Sequence, residues 1–302
     1  MQRLSWEQGV ATHAAIEHGL TERAAMLARD GIVRQAPDGR LGGVTDGGLV
    51  NGATLGEALV ILDDSTISGS AAAVNAQREW ILEQCPRSAR GALLHLEGLP
   101  EVWVDTVYMV VPFLVSVDAS NEAMTQYRLH REVLVDSETG LWGHRYDDSS
   151  DRAVRAEPWA TGNGWVAAGI ARTLGWHGSR LASEYRAVLE GEARALLSAV
   201  APHERADGRF HNVLTDDRTF VDGTAGMMYA YAALRGIDDG WLDESWTPIS
   251  RRWRDAALRS LQSDGTVTEV CGAPHFDRQG TSVEAQAFAL MSLGADRDSP
   301  RR

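Results

Sequence analysis

Asp105 stands among apolar neighbours in the stretch PEVWVDTVYMVVPFL. Two readings compete for it. An aspartate just before a helix caps the first turn. A partly buried carboxyl at the mouth of a cavity has a raised pKa and can donate a proton near neutrality. A second cluster is the loop GLWGHRYDDSSD, residues 140–151, which carries His144, Arg145, Tyr146, Asp147, Asp148 and Asp151. Three aspartates suit a solvated loop, but such a loop does not require Trp142, His144 or Tyr146, although His144 could also serve as a structural hydrogen bonder. The chain has ten tryptophans, and Trp103, Trp142, Trp159 and Trp165 lie beside these polar residues. An indole face stacks on a sugar ring and its N–H anchors a hydroxyl; each tryptophan taken singly is as well explained by the core. His211 and Asn212 precede one apolar segment, and His275, Glu284 and Gln286 flank another. Glu284 fits a capping pattern with Thr281 and is set aside on that ground.

The elements that must position these groups read as helices. Apolar periodicity predicts helices at 5–18, 21–34, 52–63, 70–84, 103–117, 121–135, 159–175, 181–200, 222–235, 241–261 and 282–293, with no convincing strand alternation. Thr54-x-x-Glu57 and Thr281-x-x-Glu284 both fit a capping box. A turn dipeptide leading into an apolar or aromatic residue recurs at Asp38-Gly-Arg-Leu41, Thr139-Gly-Leu-Trp142, Asp207-Gly-Arg-Phe210 and Asp264-Gly-Thr-Val267, spaced by 101, 68 and 57 residues. A helical hairpin with its loops takes roughly 45–60 residues, so about six hairpins fit. Segments 181–200 and 241–261 carry charges at helical spacing, whereas 103–117, 159–175, 222–235 and 282–293 are apolar nearly all round. A helix apolar on every side is buried. The alternation predicts two concentric rings in an all-α fold, an (α/α)6 barrel, as a single domain over 1–295 with a disordered tail at 296–302. Gly162, Gly164 and Gly169 fall in or beside one apolar helix, where each costs about 1 kcal/mol relative to alanine. Close helix packing at Gly164, Gly169 and Gly226 offsets that cost. Gly162-Asn163-Gly164 would also keep the start of its helix open to a ligand.

Composition removes other classes. The net charge of −13 lacks the basic footprint of a nucleic-acid binder, and no apolar run reaches the roughly 18 residues of a membrane span. All 29 basic residues are arginine, so an anion must be met by Arg, His or backbone N–H. Cys85 and Cys271 are too few and too far apart for a disulfide framework or zinc site, and read as two buried thiols. The N-terminus lacks the basic and apolar regions of a signal peptide, so a cytoplasmic protein is expected. Neither metal nor cofactor is implied.

Trp159-Ala-Thr-Gly-Asn-Gly-Trp165 resembles the W-x-x-G-N-G-W signature of glycoside hydrolase family 105, the unsaturated rhamnogalacturonyl hydrolases, relatives of the family 88 unsaturated glucuronyl hydrolases. In the same order, Ser5-Trp-Glu-Gln-Gly9, Trp103-Val-Asp-Thr-Val-Tyr-Met109, Gly140-Leu-Trp-Gly-His144, Phe210–Leu214 with Gly223–Met228, and Val270-Cys-Gly272 resemble further motifs of that family. The resemblance implies an (α/α)6 barrel acting on 4,5-unsaturated uronyl oligosaccharides left by polysaccharide lyases. In that reaction an acidic residue protonates C4, water adds at C5, and the hemiketal opens to release the next sugar. It implies Asp105 as one catalytic aspartate, Arg145 as a clamp for the uronate beside His144, and Trp103, Trp142, Trp159, Asn163, Trp165, Phe210 and His211 as residues lining or supporting the pocket. The family's second aspartate precedes the signature, but residues 152–158 hold none; Asp147 is the expected replacement, with Asp148 next. The chain starts almost at the family's first motif, which leaves room for a missing N-terminal piece. Other readings stay open: an inverting glycosidase, with carboxyls roughly 6.5–9.5 Å apart, a sugar epimerase relying on His pairs, or a sugar-binding protein without catalysis. The expected partner is an acidic oligosaccharide, and the expected state a monomer or homodimer.

Overall fold

The computed structural model describes residues 4–45, 47–273 and 275–296. Its contacts cluster into two compact units, residues 1–134 with 145–154, and residues 135–144 with 155–302.

The first unit holds α1 (Ser5–Glu17), α2 (Thr21–Val33), α3 (Ala53–Thr66), α4 (Ser70–Glu79, running on into a π turn at Trp80–Gln84), α5 (Thr106–Ser116) and α6 (Ser120–Leu134). Burial alternates along this series. All eleven residues of α5 are buried, whereas α2 buries only Ala24, Ala28 and Gly31. This is the difference between a helix enclosed by neighbours and one that meets water on a face. Gly56 lies where an added Cβ would come within 2.5 Å of the Phe113 ring, so α3 and α5 touch nearly backbone to side chain. A short sheet crosses the start of α5: β1 (Glu101–Trp103) pairs antiparallel with β2 (Arg145–Asp147), and β3 (Arg152–Arg155) follows in the order β1-β2-β3. The expected helix start at 103 therefore moves to 106, because residues 101–103 hydrogen bond as a strand.

The second unit holds α7 (Ala160–His177), α8 (Ser183–Val200), α9 (Gly223–Asp238), α10 (Thr247–Leu258) and α11 (Val283–Gly294). Two hairpins accompany them, β4 (Phe210–His211) with β5 (Val221–Asp222), and β6 (Val270–Cys271) with β7 (Gln279–Gly280). Such strands of two to four residues are too short to announce themselves by alternation. Here too burial alternates: α7 buries all but Gly175 and Trp176, whereas α8 buries five residues. Gly164 on α7 faces Met228 on α9, where an added Cβ would lie 2.9 Å from Met228 Cβ; Gly226 on α9 faces Ala257 at 3.3 Å. Close approach is thus the use of both glycines. Phe210, Tyr229 and Trp253 form an edge-to-face cluster with centroids 5.0–6.0 Å apart, each pair adding about 0.5–1.5 kcal/mol beyond its burial.

The recurring turn has one geometry. In residues 36–40, 205–209 and 262–266 the first residue's N–H donates to the fifth residue's carbonyl, and the fourth, a glycine, donates back to the first. Gly39, Gly208 and Gly265 have φ of 100°, 80° and 88°, a region open to glycine at no steric cost. A fourth copy at 88–92, with Gly91 at φ 94°, carries no Asp-Gly and was invisible to that pattern. The turn at Gly140 is a looser variant, closing from Asp136 to Leu141.

Two capping assignments change. Helix α3 begins at Ala53, so Thr54 and Glu57 lie inside it; Thr54 Oγ1 donates to Asn51 O, and Glu57 meets His13 Nε2 at 3.2 Å. The cap of α11 is Ser282 rather than Thr281, its hydroxyl accepting from Ala285 N. Asp296 makes ion pairs with Arg251 and Arg254; the rest of the expected tail lies outside the described residues. No helix among the described residues is long and apolar enough to cross a membrane.

Candidate active site

In the first unit, Asp105 occupies the residue before α5, half-buried, in helical backbone conformation. Its side chain makes no capping hydrogen bond, so the capping role that competed with a chemical one is not taken up. Trp103 is held in place rather than left open as a stacking platform. Its Nε1 donates to Glu101 Oε2 at 2.8 Å, His95 stacks against it with centroids 4.8 Å and planes 1° apart, and the Arg145 guanidinium lies 4.8 Å over the ring. Arg145 in turn gives Glu101 a fork of two hydrogen bonds, Nε to Oε2 at 2.8 Å and Nη2 to Oε1 at 2.9 Å. The strand register explains this, since β1 and β2 set Trp103 directly opposite Arg145. The expected uronate clamp is therefore already occupied by a carboxylate of its own unit.

The two aspartates expected to supply the second catalytic carboxyl are also spent. Asp147 accepts from the N–H and hydroxyl of Ser149 and of Ser150, closing the loop as a turn. The Ser149 hydroxyl first, then that of Ser150 and their N–H groups, hold its pKa down at about 2. That favours its charged form, whereas a proton donor near neutrality needs the acid form. Asp148 accepts from Ala89 N at 2.7 Å and from Arg90 Nε at 3.1 Å. Asp151 completes the cluster by pairing with Arg90 at 2.6 Å and with the Tyr146 hydroxyl.

In the second unit the signature residues are brought together. Asn163 is fully buried and forms three bonds: it donates to Trp142 O and Trp159 O and accepts from Trp142 N, each at 2.9 Å. One side chain thus ties the 140–144 loop to the first turn of α7. Trp159 donates its indole N–H to Asn212 Oδ1 at 3.0 Å, and His144 lies against its ring with centroids 4.6 Å apart. His144 is bound to Arg155 twice, by its N–H to Arg155 O at 2.9 Å and by Nδ1 to Arg155 Nη1 at 3.3 Å. His211 sits between Thr219 O at 2.7 Å and Arg205 Nη1 at 2.6 Å. Trp165 and Phe210, expected to line or support the pocket, are both buried: Trp165, 2% exposed, packs edge-on against Phe288, and Phe210 is wholly enclosed with Tyr229 and Trp253. Trp142 and Trp159 are also buried, so they frame the site rather than offer a face to it.

Asp222 was missed from sequence. It is fully buried at the start of α9, accepting from Thr161 Oγ1, from Thr224 N at 2.9 Å and from Cys271 N at 3.0 Å. Burial raises its pKa, against the pull of those donors. The available signal was an aspartate just before the small-residue run Gly223-Thr-Ala-Gly226, an N-cap position. An open cleft of about 740 Å³ lies in the same unit, lined by Arg155, Glu157, Asp216, Arg218, Thr215 and Thr219 among others. Among the described residues no three His, Cys, Asp or Glu side chains gather as metal ligands would, and Cys85 and Cys271 are buried free thiols.

Residues 50–289 match the profile of Glycosyl Hydrolase Family 88. The chain belongs to that family. It is 24% identical over 243 residues to the unsaturated rhamnogalacturonyl hydrolase YesR of Bacillus subtilis (strain 168), an alignment spanning 73% of this chain and 66% of that protein. Its fold matches a possible member of the GH105 family from Klebsiella pneumoniae with a TM-score of 0.84 at 20% identity, over 96% of this chain and 81% of the other. It also matches the unsaturated glucuronyl hydrolase of Bacillus sp. GL1, responsible for the degradation of glycosaminoglycan, with a TM-score of 0.66 at 14% identity, over 98% and 86% of the two chains. The family 88 member is thus an (α/α)6-barrel protein, as the alternation of enclosed and one-faced helices implied.

Proposed function

We propose that this family 88 member is an unsaturated uronyl hydrolase acting on acidic oligosaccharides of the pectin or rhamnogalacturonan type. The observation that carries the proposal is the family match across residues 50–289. The YesR likeness supports a uronyl-rhamnose substrate. Asp105 is the proton donor. It gives its proton to C4 of the enol ether, leaving positive charge shared between C5 and the ring oxygen. As a carboxylate it then takes a proton from the water that adds at C5. The hemiketal so formed opens and the next sugar leaves as a free alcohol. The glycosidic oxygen need not be protonated first. Two buried free thiols accord with work in the cytoplasm.

The test is a mixture of the protein with lyase-generated unsaturated disaccharides, one uronyl-rhamnose and one uronyl-hexosamine, followed by the ultraviolet absorbance of the conjugated double bond. Loss of absorbance on the rhamnose compound is the expected result. A flat trace on both would overturn the reading.

A further inference from the structure

Helix α2 carries the two most exposed large apolar side chains among the described residues. Val33 is 78% exposed and Met26 65%. Leu20, the residue before the helix, is 43% exposed. Elsewhere such side chains come singly: α8 shows only Val188 and α11 only Leu290. Scattered single residues of this kind are ordinary, whereas several along one helix face mark a contact surface. Glu22, Met26, Arg29 and Val33 follow one another at intervals of four, three and four residues. That spacing sets them in one stripe, opposite the buried Ala24, Ala28 and Gly31. It is also the spacing of a seam between two paired helices. The stripe lines a groove of about 520 Å³, together with Ala25 and Thr66 among others.

The charges beside the apolar groups read in reverse across Met26. Glu22-Arg23 precedes it, and Arg29-Asp30 follows seven residues on. Among the described residues the side chains of Glu22, Arg23 and Arg29 enter no hydrogen bond or ion pair. Asp30 accepts from Arg34 at 3.0 Å and from Gln8 at 2.8 Å. Two copies of α2 laid antiparallel about a two-fold axis at Met26 bring acid to base on both flanks of the stripe. Glu22 of one copy meets Arg29 of the other on one flank, and Arg23 meets Asp30 on the other flank. The symmetry forms each pair twice. Laid parallel in register, the same helices set Glu against Glu and Arg against Arg. The antiparallel register also puts Met26 against Met26 at the centre. Each residue of a helix rises about 1.5 Å, so Val33 lies about 10 Å beyond Met26 and Leu20 about 9 Å before it. Val33 of each copy therefore falls beside Leu20 of the other.

We propose that the protein forms a two-fold homodimer through α2, antiparallel and centred on Met26. The occupant of the groove is a second copy of this chain, because the charge order of the helix, reversed, matches both of its own flanks. The apolar centre and ends supply affinity, and the charges supply orientation. A contact built on one pair of thirteen-residue helices is smaller than a standard interface of about 1,200–2,000 Å², so the dimer is reversible and dissociates on dilution. The proposal does not depend on the uronyl hydrolase reading.

The experiment is sedimentation equilibrium from about 1 µM to about 1 mM, the span of weak to moderate complexes. Wild type is expected to pass from monomer to dimer over that range. Glu22→Arg and Arg29→Glu each set like charges against one another across the axis, and each weakens association by about 10-fold or more. An equimolar mixture of these two variants pairs opposite charges again and is expected to form a heterodimer close to wild-type affinity. Met26→Glu stays monomeric throughout. All three positions are exposed, so circular dichroism and turnover match wild type. Wild type that remains monomeric over the whole range overturns the proposal and leaves the groove to a different partner. A dimer that Met26→Glu leaves intact also overturns it, since the interface then lies elsewhere. Single variants that dissociate, with no heterodimer in the mixture, overturn the antiparallel arrangement.

Discussion

Arg145 and Arg155 sit at the two ends of one acidic loop and differ in what they have left to offer. Around Arg145 four carboxylates are already engaged: Glu101 fills its fork, serines wrap Asp147, and Arg90 holds Asp148 and Asp151. Around Arg155 the arrangement is open, with a histidine at one corner of the guanidinium and a cleft along it. The two stretches look alike in sequence, both rich in charge near a tryptophan. The lesson is that the capacity for chemistry depends on which hydrogen bonds the fold has already made, since a carboxylate satisfied by several donors is held ionised.

The largest test of this contrast is Asp105→Asn. If Asp105 is the donor, turnover of the uronyl-rhamnose disaccharide falls about 10²- to 10⁴-fold with little change in melting temperature. Retained turnover would remove Asp105 from the chemistry and reopen the acidic loop.

Next comes Asp222, which is spent like the loop aspartates but deep in the core. Asp222→Ala strands donors from Thr161, Thr224 and Cys271 and is expected to cost about 2–5 kcal/mol, read as a lowered melting temperature. Asp222→Asn keeps an oxygen for the two backbone donors and costs much less. The sign of its pH dependence follows from the raised pKa. The stability contributed by the protonated form is complete below the unfolded-state pKa and is lost as pH rises through the folded one. The melting temperature of Asp222→Asn relative to wild type should therefore climb over that interval. A flat difference would mean that Asp222 is ionised throughout.

A smaller effect is expected at Gly164→Ala, where the new methyl meets Met228. Overpacking of this kind costs about 1–3 kcal/mol. An unchanged melting temperature would show that α7 and α9 separate easily.

The smallest effect is predicted for Asp147→Ala. Activity should stay within a few-fold of wild type, because the carboxylate closes a turn. Its pKa is depressed to about 2, so its contribution to stability is present above the unfolded-state value and lost as pH falls toward 2. The difference in melting temperature between wild type and variant should vanish over that acid interval. A large loss of turnover at neutral pH would restore Asp147 as a catalytic group.

Much of the fold was legible because its signals are local. All eleven predicted helices are present, the 159–175 segment as Ala160–His177 and 222–235 as Gly223–Asp238. Apolar runs and Asp-Gly turns act within a few residues. The errors arose where a distant partner intervened. Thr54 and Glu57 fit a capping spacing, yet Gly52 precedes the helix and His13 claims the glutamate. Segment 241–261 shrank to Thr247–Leu258, with Glu244–Trp246 forming a separate short turn. Asn163 was legible as part of the signature, but not its bonds to Trp142, 21 residues away.

What the sequence by itself determined was the helical series, its alternation of enclosed and one-faced members, and the family, each written in residues close together or in a fixed order. The tertiary structure alone decided which charged groups were spent. Glu101 reaches Arg145 across 44 residues and Thr161 reaches Asp222 across 61. Among the described residues Arg155 forms no ion pair; its side chain bonds to His144. A hydrogen bond depends on separation in space over about 3 Å, so no spacing along the chain could reveal which of these side chains were already paired.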